Sequence, residues 1–243
     1  MSNLLLATVS NTFRHLLRPI PLLTWFGLDI STLDCVAALR LCVVLRQLRD
    51  VAFKDYLESS NEDDRKGVEE KSCMKSIAIT LVVVYGGEAV MSVSPSFVFS
   101  PVVPALYAAL TSLVEISPWL PAMSFKTEFP LSFFDGISRA FLLCQLIPPV
   151  VTAHSQPAIA SSAWTLLLTS MIAANGGFFL VNLFSMLRPT GWALATPAEL
   201  RAYGWTTIDI WCAPAITALY ALLTHAQPFW AELHAMLATP GKN

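Results

Sequence analysis

Charged side chains are scarce in this 243-residue chain. Asp, Glu, Lys and Arg make up 13% of it, whereas soluble domains carry roughly 25%. Fourteen of the 32 charged residues lie between Arg49 and Lys75, so the rest of the chain has eighteen. A soluble fold of this size could not cover its surface with so few. With 55% hydrophobic residues and a mean hydropathy of +0.58, the composition excludes a cytosolic domain, a disordered chain and a nucleic-acid binder.

Catalytic and metal-binding patterns are also missing. The sequence contains no GxSxG, HExxH or P-loop pattern, and its four histidines are scattered over loops and segment ends. Its five cysteines include no CxxC pair and mostly lie inside apolar runs, as small buried hydrophobic residues do. We therefore expect a protein that is not an enzyme and has no catalytic residues, no metal site and no cofactor.

Long apolar runs are abundant. A membrane-spanning helix needs about 20 mostly apolar residues, and six segments meet this requirement: 28–48, 74–93, 98–120, 133–151, 158–187 and 206–224. A seventh segment, 228–238, is apolar but short, and the first twenty residues favour an amphipathic helix at the membrane interface. The sequence thus predicts an all-α polytopic membrane protein, a single domain over 1–243 with about seven transmembrane helices.

The charges of the loops predict the orientation. With seven spans, the side of the N-terminus has only Arg14 and Arg18, whereas the opposite side has ten Lys and Arg residues. The positive-inside rule places that opposite side in the cytoplasm. We therefore expect a luminal or exterior N-terminus and a cytoplasmic C-terminus. The loop 49–75 mixes both signs of charge and is interpreted as a solvated linker.

Two glycine pairs indicate an internal repeat. Gly86-Gly87 in the second segment and Gly176-Gly177 in the fifth lie 90 residues apart, and the first and fourth segments also match loosely. Three spans followed by three similar spans form an inverted repeat, here 28–120 and 133–224, with a functional site near the repeat interface. A Gly-Gly pair either lets two helices approach closely or allows a bend that frees backbone carbonyls.

Ionisable side chains inside the apolar segments require a partner or a hydrated path. Asp135 and Arg139 are four residues apart in the fourth segment, where they would form an ion pair on one helix face or line a water-filled route. The remaining deep groups either pack against hydroxyl and amide groups or belong to the path: Asp34, Arg40, Glu88, Glu115 and Asp209.

These features together resemble the trimeric intracellular cation (TRIC) channels of the endoplasmic and sarcoplasmic reticulum. The likeness is strongest from Gly176-Gly177 through Asn182, Leu187, Thr190-Gly191-Trp192 and Thr196-Pro197, and in the stretch KSCMKSIAITLVVVYGG. The resemblance implies two inverted three-helix repeats plus a short last helix, and a homotrimer with one pore per subunit. It also implies a potassium current that balances calcium release, in an intracellular membrane with a luminal N-terminus.

The resemblance also implies site residues. Acidic or carbonyl groups near the path select cations, and the residues expected there are Asp34, Glu88, Asp135 and Ser138. Animal members carry a Lys-Glu-Val motif that binds a phosphoinositide, where this chain reads Asp-Gly-Ile-Ser-Arg over 135–139. A bound membrane phospholipid would therefore meet Arg139, and the residues expected at lipid contacts or in gating are Arg139, Gly86, Gly87, Gly176 and Gly177.

Two other functions fit the same pattern. One is a secondary transporter of a small solute, in which Glu88 and Asp209 would carry protons. The other is a non-conducting scaffold of a reticulum membrane, in which the buried charges only support assembly.

Overall fold

The computed structural model describes residues 2–24, 28–59, 68–69, 72–91 and 96–238, and the regular structure within these ranges is helical. Eight helices in this part of the chain exceed two turns: α1 Ser2–Leu16, α2 Thr32–Ser59, α3 Cys73–Met91, α4 Val102–Ile116, α5 Phe125–Thr152, α6 Ala163–Leu183, α7 Ile208–Thr224 and α8 Pro228–Ala238. The predicted all-α class is confirmed.

Three helices, α3, α5 and α6, are long and apolar enough to cross a membrane. α4 and α7 are apolar but shorter: the 15 residues of α4 extend about 22 Å, less than the ~30 Å of a hydrocarbon core. Large apolar side chains also cover the outside, where Phe133, Val150 and Trp164 are 70% exposed or more. A lipid solvent accounts for such a surface, so the chain is a membrane protein, and the count of seven spans stays a prediction.

Helix ends differ from the predicted segments where local chemistry, rather than apolarity, sets them. α2 continues to Ser59, eleven residues past the predicted end at 48, because the nine residues after Asp50 include neither Gly nor Pro and four of them, Ala52, Lys54, Leu57 and Glu58, are good helix formers. α4 ends at Ile116 because Pro118 holds Ser117 in an extended conformation. α5 begins at Phe125, eight residues earlier than predicted, behind a capping box between Ser124 and Thr127.

The helices pack as two groups of three. α2, α3 and α4 form the first group, α5, α6 and α7 form the second, and α8 packs on α7. The groups meet where α3 crosses α6 and where α2 lies against α5. The α2–α3, α4–α5 and α6–α7 connections lie at the same end of the bundle. The side chain of Gln47 in α2 donates to Pro121 O of the α4–α5 connection (2.8 Å), and the Glu69 N–H of the α2–α3 connection donates to Pro189 O of the α6–α7 connection (3.0 Å).

The second group has an apolar core. Its buried side chains come from α5, α6, α7 and α8, and they are Leu143, Ile147, Val151, Leu166, Ala213, Ala221 and Trp230. Burial of such side chains contributes roughly 1.5–3 kcal/mol for each large residue. This group is therefore held together by the apolar segments from which the sequence predicts it.

The first group contains a buried polar network, beside an apolar cluster in which its Leu45 and Ile79 meet Val181 and Met186 of the second group. The Thr111 hydroxyl donates to Thr80 Oγ1 at 3.1 Å and lies 3.3 Å from Cys42 Sγ. One turn further along, the Arg49 guanidinium binds both oxygens of Glu115 at 2.6 and 2.7 Å and also donates to the Ser76 hydroxyl. Arg49 and Glu115 are each 15% exposed, so Glu115 has an ionic partner rather than the hydroxyl or amide partners that the sequence suggested.

Removal of one member of this pair is expected to destabilise the fold. Glu115→Ala leaves the Arg49 guanidinium buried and uncompensated, which costs about 3–5 kcal/mol, whereas Arg49→Met with Glu115→Leu recovers most of the loss. The measurement is the free energy of unfolding in mixed micelles. The matched control is Lys54→Ala, which breaks a pair with Glu58 that is 77% and 67% exposed, and we expect a loss below about 1 kcal/mol. A double variant no more stable than Glu115→Ala would contradict this account.

Candidate functional site at the contact between the helix groups

The glycine pairs lie where α3 crosses α6. A Cβ atom on Gly86 would stand 2.9 Å from Gly177 Cα, and one on Gly176 would stand 2.7 Å from Gly87 Cα. Distances below 3.0 Å do not occur for real Cβ atoms, so the two backbones are in direct contact. Both helices keep α-helical hydrogen bonding through the glycines. Of the two suggested uses of a Gly-Gly pair, close approach is the one observed.

Equivalent residues of α3 and α6 make equivalent contacts at the crossing. Gly86 meets Gly177 as Gly87 meets Gly176, and Gly87 meets Ala173 as Gly177 meets Val83. Exchanging each residue for the one 90 positions away turns each of these contacts into its counterpart. Such reciprocity is the mark of an isologous, two-fold symmetric interface.

Two cavities flank the crossing in the same symmetric way. The smaller, of about 310 Å³, is bounded on α3 by residues 81, 82, 85, 86 and 89. The larger, of about 480 Å³, is bounded on α6 by residues 171, 172, 175, 176 and 179, which are those five positions advanced by 90. The helix that follows contributes at its N-terminal end in each case, through Pro104 and through Ile210. The larger cavity differs in having Glu199 in its wall.

A charge cluster marks the second contact between the groups, between α2 and α5. The Arg40 Nε donates to Asp135 Oδ2 at 3.2 Å, and its Nη2 donates to Glu128 Oε2. The Arg40 side chain is 9% exposed, against 25% for Glu128 and 40% for Asp135. Glu128 and Asp135 are seven residues apart and share one face of α5. Asp135, for which the sequence suggested an ion pair with Arg139 or a place on a water-filled route, thus pairs with Arg40 of another helix.

This cluster keeps two unpaired polar atoms. Arg40 Nη1 and Glu128 Oε1 are buried, and neither has a hydrogen-bond partner in the described part of the chain. One cation between two carboxylates also leaves the cluster with a net charge of −1. Unpaired buried polar atoms are costly unless water or an ion reaches them, which makes this cluster a candidate for a hydrated path; similar atoms occur at Gln47, Arg49 and Glu199.

α5 departs from regular α-helix about two turns after Asp135. Residues Leu142–Leu146 form a π-helical turn, directly before Pro148 and Pro149. Proline has no N–H and clashes with the carbonyl four residues earlier, so the helix widens at that point. Such turns are frequent at functional sites. In the second group, this departure from regular α-helix lies in α5.

The other predicted path residues are not in the cluster. Asp34 closes the N-terminus of α2 in a capping box, in which its carboxylate accepts the Ser31 N–H at 2.9 Å and the Ser31 hydroxyl at 2.7 Å. The Ser138 hydroxyl donates to Asp135 O at 3.0 Å, within α5. Glu88 is half-buried just beyond the crossing, and Arg139 is exposed on α5.

Two further expectations concern Asp209 and the absence of a metal site. Asp209 belongs to α7, but its side chain is outside the described residues, so its predicted role is open. Within the described residues, no three His, Cys, Asp or Glu side chains are grouped so that they could hold a metal ion.

Sequence reasoning misses Glu128, because it precedes the apolar segment that begins at 133 and hydropathy alone assigns it to a loop. A signal was present: residues 128 and 135 are two helical turns apart, so a helix that starts earlier aligns their carboxylates. Arg40 was recognised as a deep charge, but its partners on α5 are 88 and 95 residues away, beyond the reach of local spacing.

No protein-family model matches the chain, and no curated protein and no solved structure matches it. The resemblance to the TRIC channels therefore stays a prediction from the sequence.

Substitution at the crossing is expected to be far more harmful than at a helical glycine elsewhere. Gly177→Ala places a Cβ against the Val83 backbone, so α3 and α6 must separate, and we expect a lower midpoint of thermal unfolding in detergent. Gly136→Ala is the control, since nothing lies within 4 Å of its Cβ position, and alanine favours a helix by roughly 0.5–1 kcal/mol. Equal effects of the two substitutions would contradict a backbone contact.

Proposed function

We propose that this protein is a monovalent cation channel, chiefly for potassium, in an intracellular membrane. The proposed fold has two inverted three-helix repeats with seven spans, and the assembly is a homotrimer with one path per subunit. The observation that carries the proposal is the cluster of the nearly buried Arg40 with Glu128 and Asp135 at the contact between the two helix groups.

The reciprocal glycine contacts support the inverted repeat. A chain with three helices per unit has its second unit upside down relative to the first, and a two-fold axis in the membrane plane relates the two. The second helices of both units, α3 and α6, cross at equivalent residues, as this arrangement requires. Functional sites of inverted-repeat proteins lie at the interface between the units, where the charge cluster is found.

The electrostatics of the cluster favour cations. A ring of carboxylates concentrates cations and repels anions, and the net charge of −1 acts in this direction. The buried, unpaired Arg40 Nη1 and Glu128 Oε1 supply polar atoms that water molecules in a path would bond. Arg40, held between the two carboxylates, stands in this path, so passage of ions requires it to shift toward one of them.

The first experiment is conductance of the purified trimer in planar bilayers with a potassium chloride gradient. We expect a current that reverses near the potassium equilibrium potential. Asp135→Asn removes the net negative charge of the cluster and is expected to lower the ratio of potassium to chloride permeability severalfold. Glu58→Gln, an exposed acid on the same helix as Arg40, is the control and should leave that ratio unchanged.

Folded trimers that pass no current over a range of voltage, calcium and lipid conditions would contradict the channel. In that case, proton-coupled uptake into liposomes tests the transporter function, and loss of this uptake in Glu88→Gln would favour it. If neither a current nor proton-coupled uptake is measured, the scaffold function is favoured.

A further inference from the structure

Two neighbouring cavities lie along α6 and the segment that follows it. The apolar cavity of about 480 Å³ lies along Met171, Asn175 and Phe179. Where α6 ends, a second cavity of about 210 Å³ begins, lined from Val181 onward along the same helix. Ala198 is in the wall of both. The two cavities therefore adjoin at Ala198, and we call them together the groove, with an apolar part and a polar part.

Two cationic groups line the polar part, and one of them, Arg188, also borders a small cavity lined by Asp50 and Glu69 without forming an ion pair with either. Arg188 and Arg201 line it, and none of its lining residues is acidic. The Arg188 side chain has no hydrogen bond or ion pair with the described residues. The Arg201 Nε donates to Thr196 O at 3.2 Å, which fixes this guanidinium and leaves both of its Nη groups available. The nearly buried Ser185, with φ 51°, lies in the same wall.

Two guanidinium groups with free N–H donors match the chemistry of a phosphate. Arginine binds phosphate oxygens in a bidentate manner, and these charge-assisted bonds are among the strongest in proteins. The other ionisable side chain of the groove, Glu199, lies in the wall of the apolar part. Its charge disfavours a second anion there, so the place for the phosphate is between the two arginines.

The surroundings favour a lipid over a soluble phosphate. The segment after α6 exposes large apolar and aromatic side chains beside the arginines, namely Trp192 (51%), Leu194 (75%), Leu200 (65%) and Tyr203 (79%). Aromatic residues of this kind mark the membrane–water interface. The apolar part has the volume of a small-molecule site, and it runs along α6, which is long and apolar enough to cross a membrane.

We propose that this groove binds an anionic phospholipid, with its phosphate between Arg188 and Arg201 and an acyl chain in the apolar part. The site does not depend on the channel function. The symmetric cavity on α3 is lined by apolar residues and Tyr85, without an arginine, so it accepts an acyl chain without selecting the headgroup.

The test is a binding titration of the purified full-length protein in detergent, read by native mass spectrometry. Three probes separate the parts of the ligand: dioctanoyl phosphatidic acid, dioctanoylglycerol with the same tails but no phosphate, and inorganic phosphate without tails. We expect the phosphatidic acid to bind at least tenfold more tightly than either of the others. Arg188→Gln with Arg201→Gln should remove this preference, and Lys54→Gln, an exposed cation on α2, should retain it.

Arg188→Gln alone is included in case the double variant misfolds, because the Arg188 side chain makes no hydrogen bond or ion pair within the described structure. We expect this single variant to bind dioctanoyl phosphatidic acid severalfold more weakly. Equal binding of phosphatidic acid and dioctanoylglycerol would overturn the proposal and leave an apolar cavity only. Inorganic phosphate that binds as tightly as the lipid would also overturn it, in favour of a soluble anion. Unchanged binding in both arginine variants would place the phosphate elsewhere.

Discussion

The arrangement of the helices depends on the absence of side chains at one point. At the crossing of α3 and α6, four glycines allow the two backbones to touch, and dispersion between backbones replaces the interlocking of side chains. In lipid, apolar side chains gain little by leaving one apolar environment for another, so close contact of this kind is a main source of helix association. The flanking cavities and the position of α2 against α5 follow from this contact.

The two helix groups share an architecture but differ in how their cores are stabilised. The second group uses apolar packing around Leu143, Leu166 and Ala221. The first uses an ion pair and a hydroxyl network around Arg49, Glu115 and Thr111. A buried ion pair is no more stable than a well-packed apolar core, but it tolerates few alternative arrangements.

Much of the fold was accessible from the sequence, because apolar length and glycine spacing are local or periodic signals. The helical class, the importance of residues 86, 87, 176 and 177 and the deep charges at Arg40 and Asp135 all follow from such patterns. Helix ends were less accessible, since Ser124 and Pro118 set them through capping and backbone restriction rather than through hydropathy. Ion pairs between helices, such as Arg40 with Glu128, depend on tertiary packing that one sequence does not encode locally.

The contact between Glu69 and the segment after α6 constrains how the two groups can move. The Glu69 N–H bonds Pro189 O, and Lys75 Nζ joins the Glu69 carboxylate at 2.8 Å and Thr190 O at 3.4 Å. These bonds tie the charged linker of the first group to the second group at one end of the bundle. The glycine contact between α3 and α6, this tether at one end of the bundle and the Arg40 ion pairs between α2 and α5 together restrict how far one group can shift against the other.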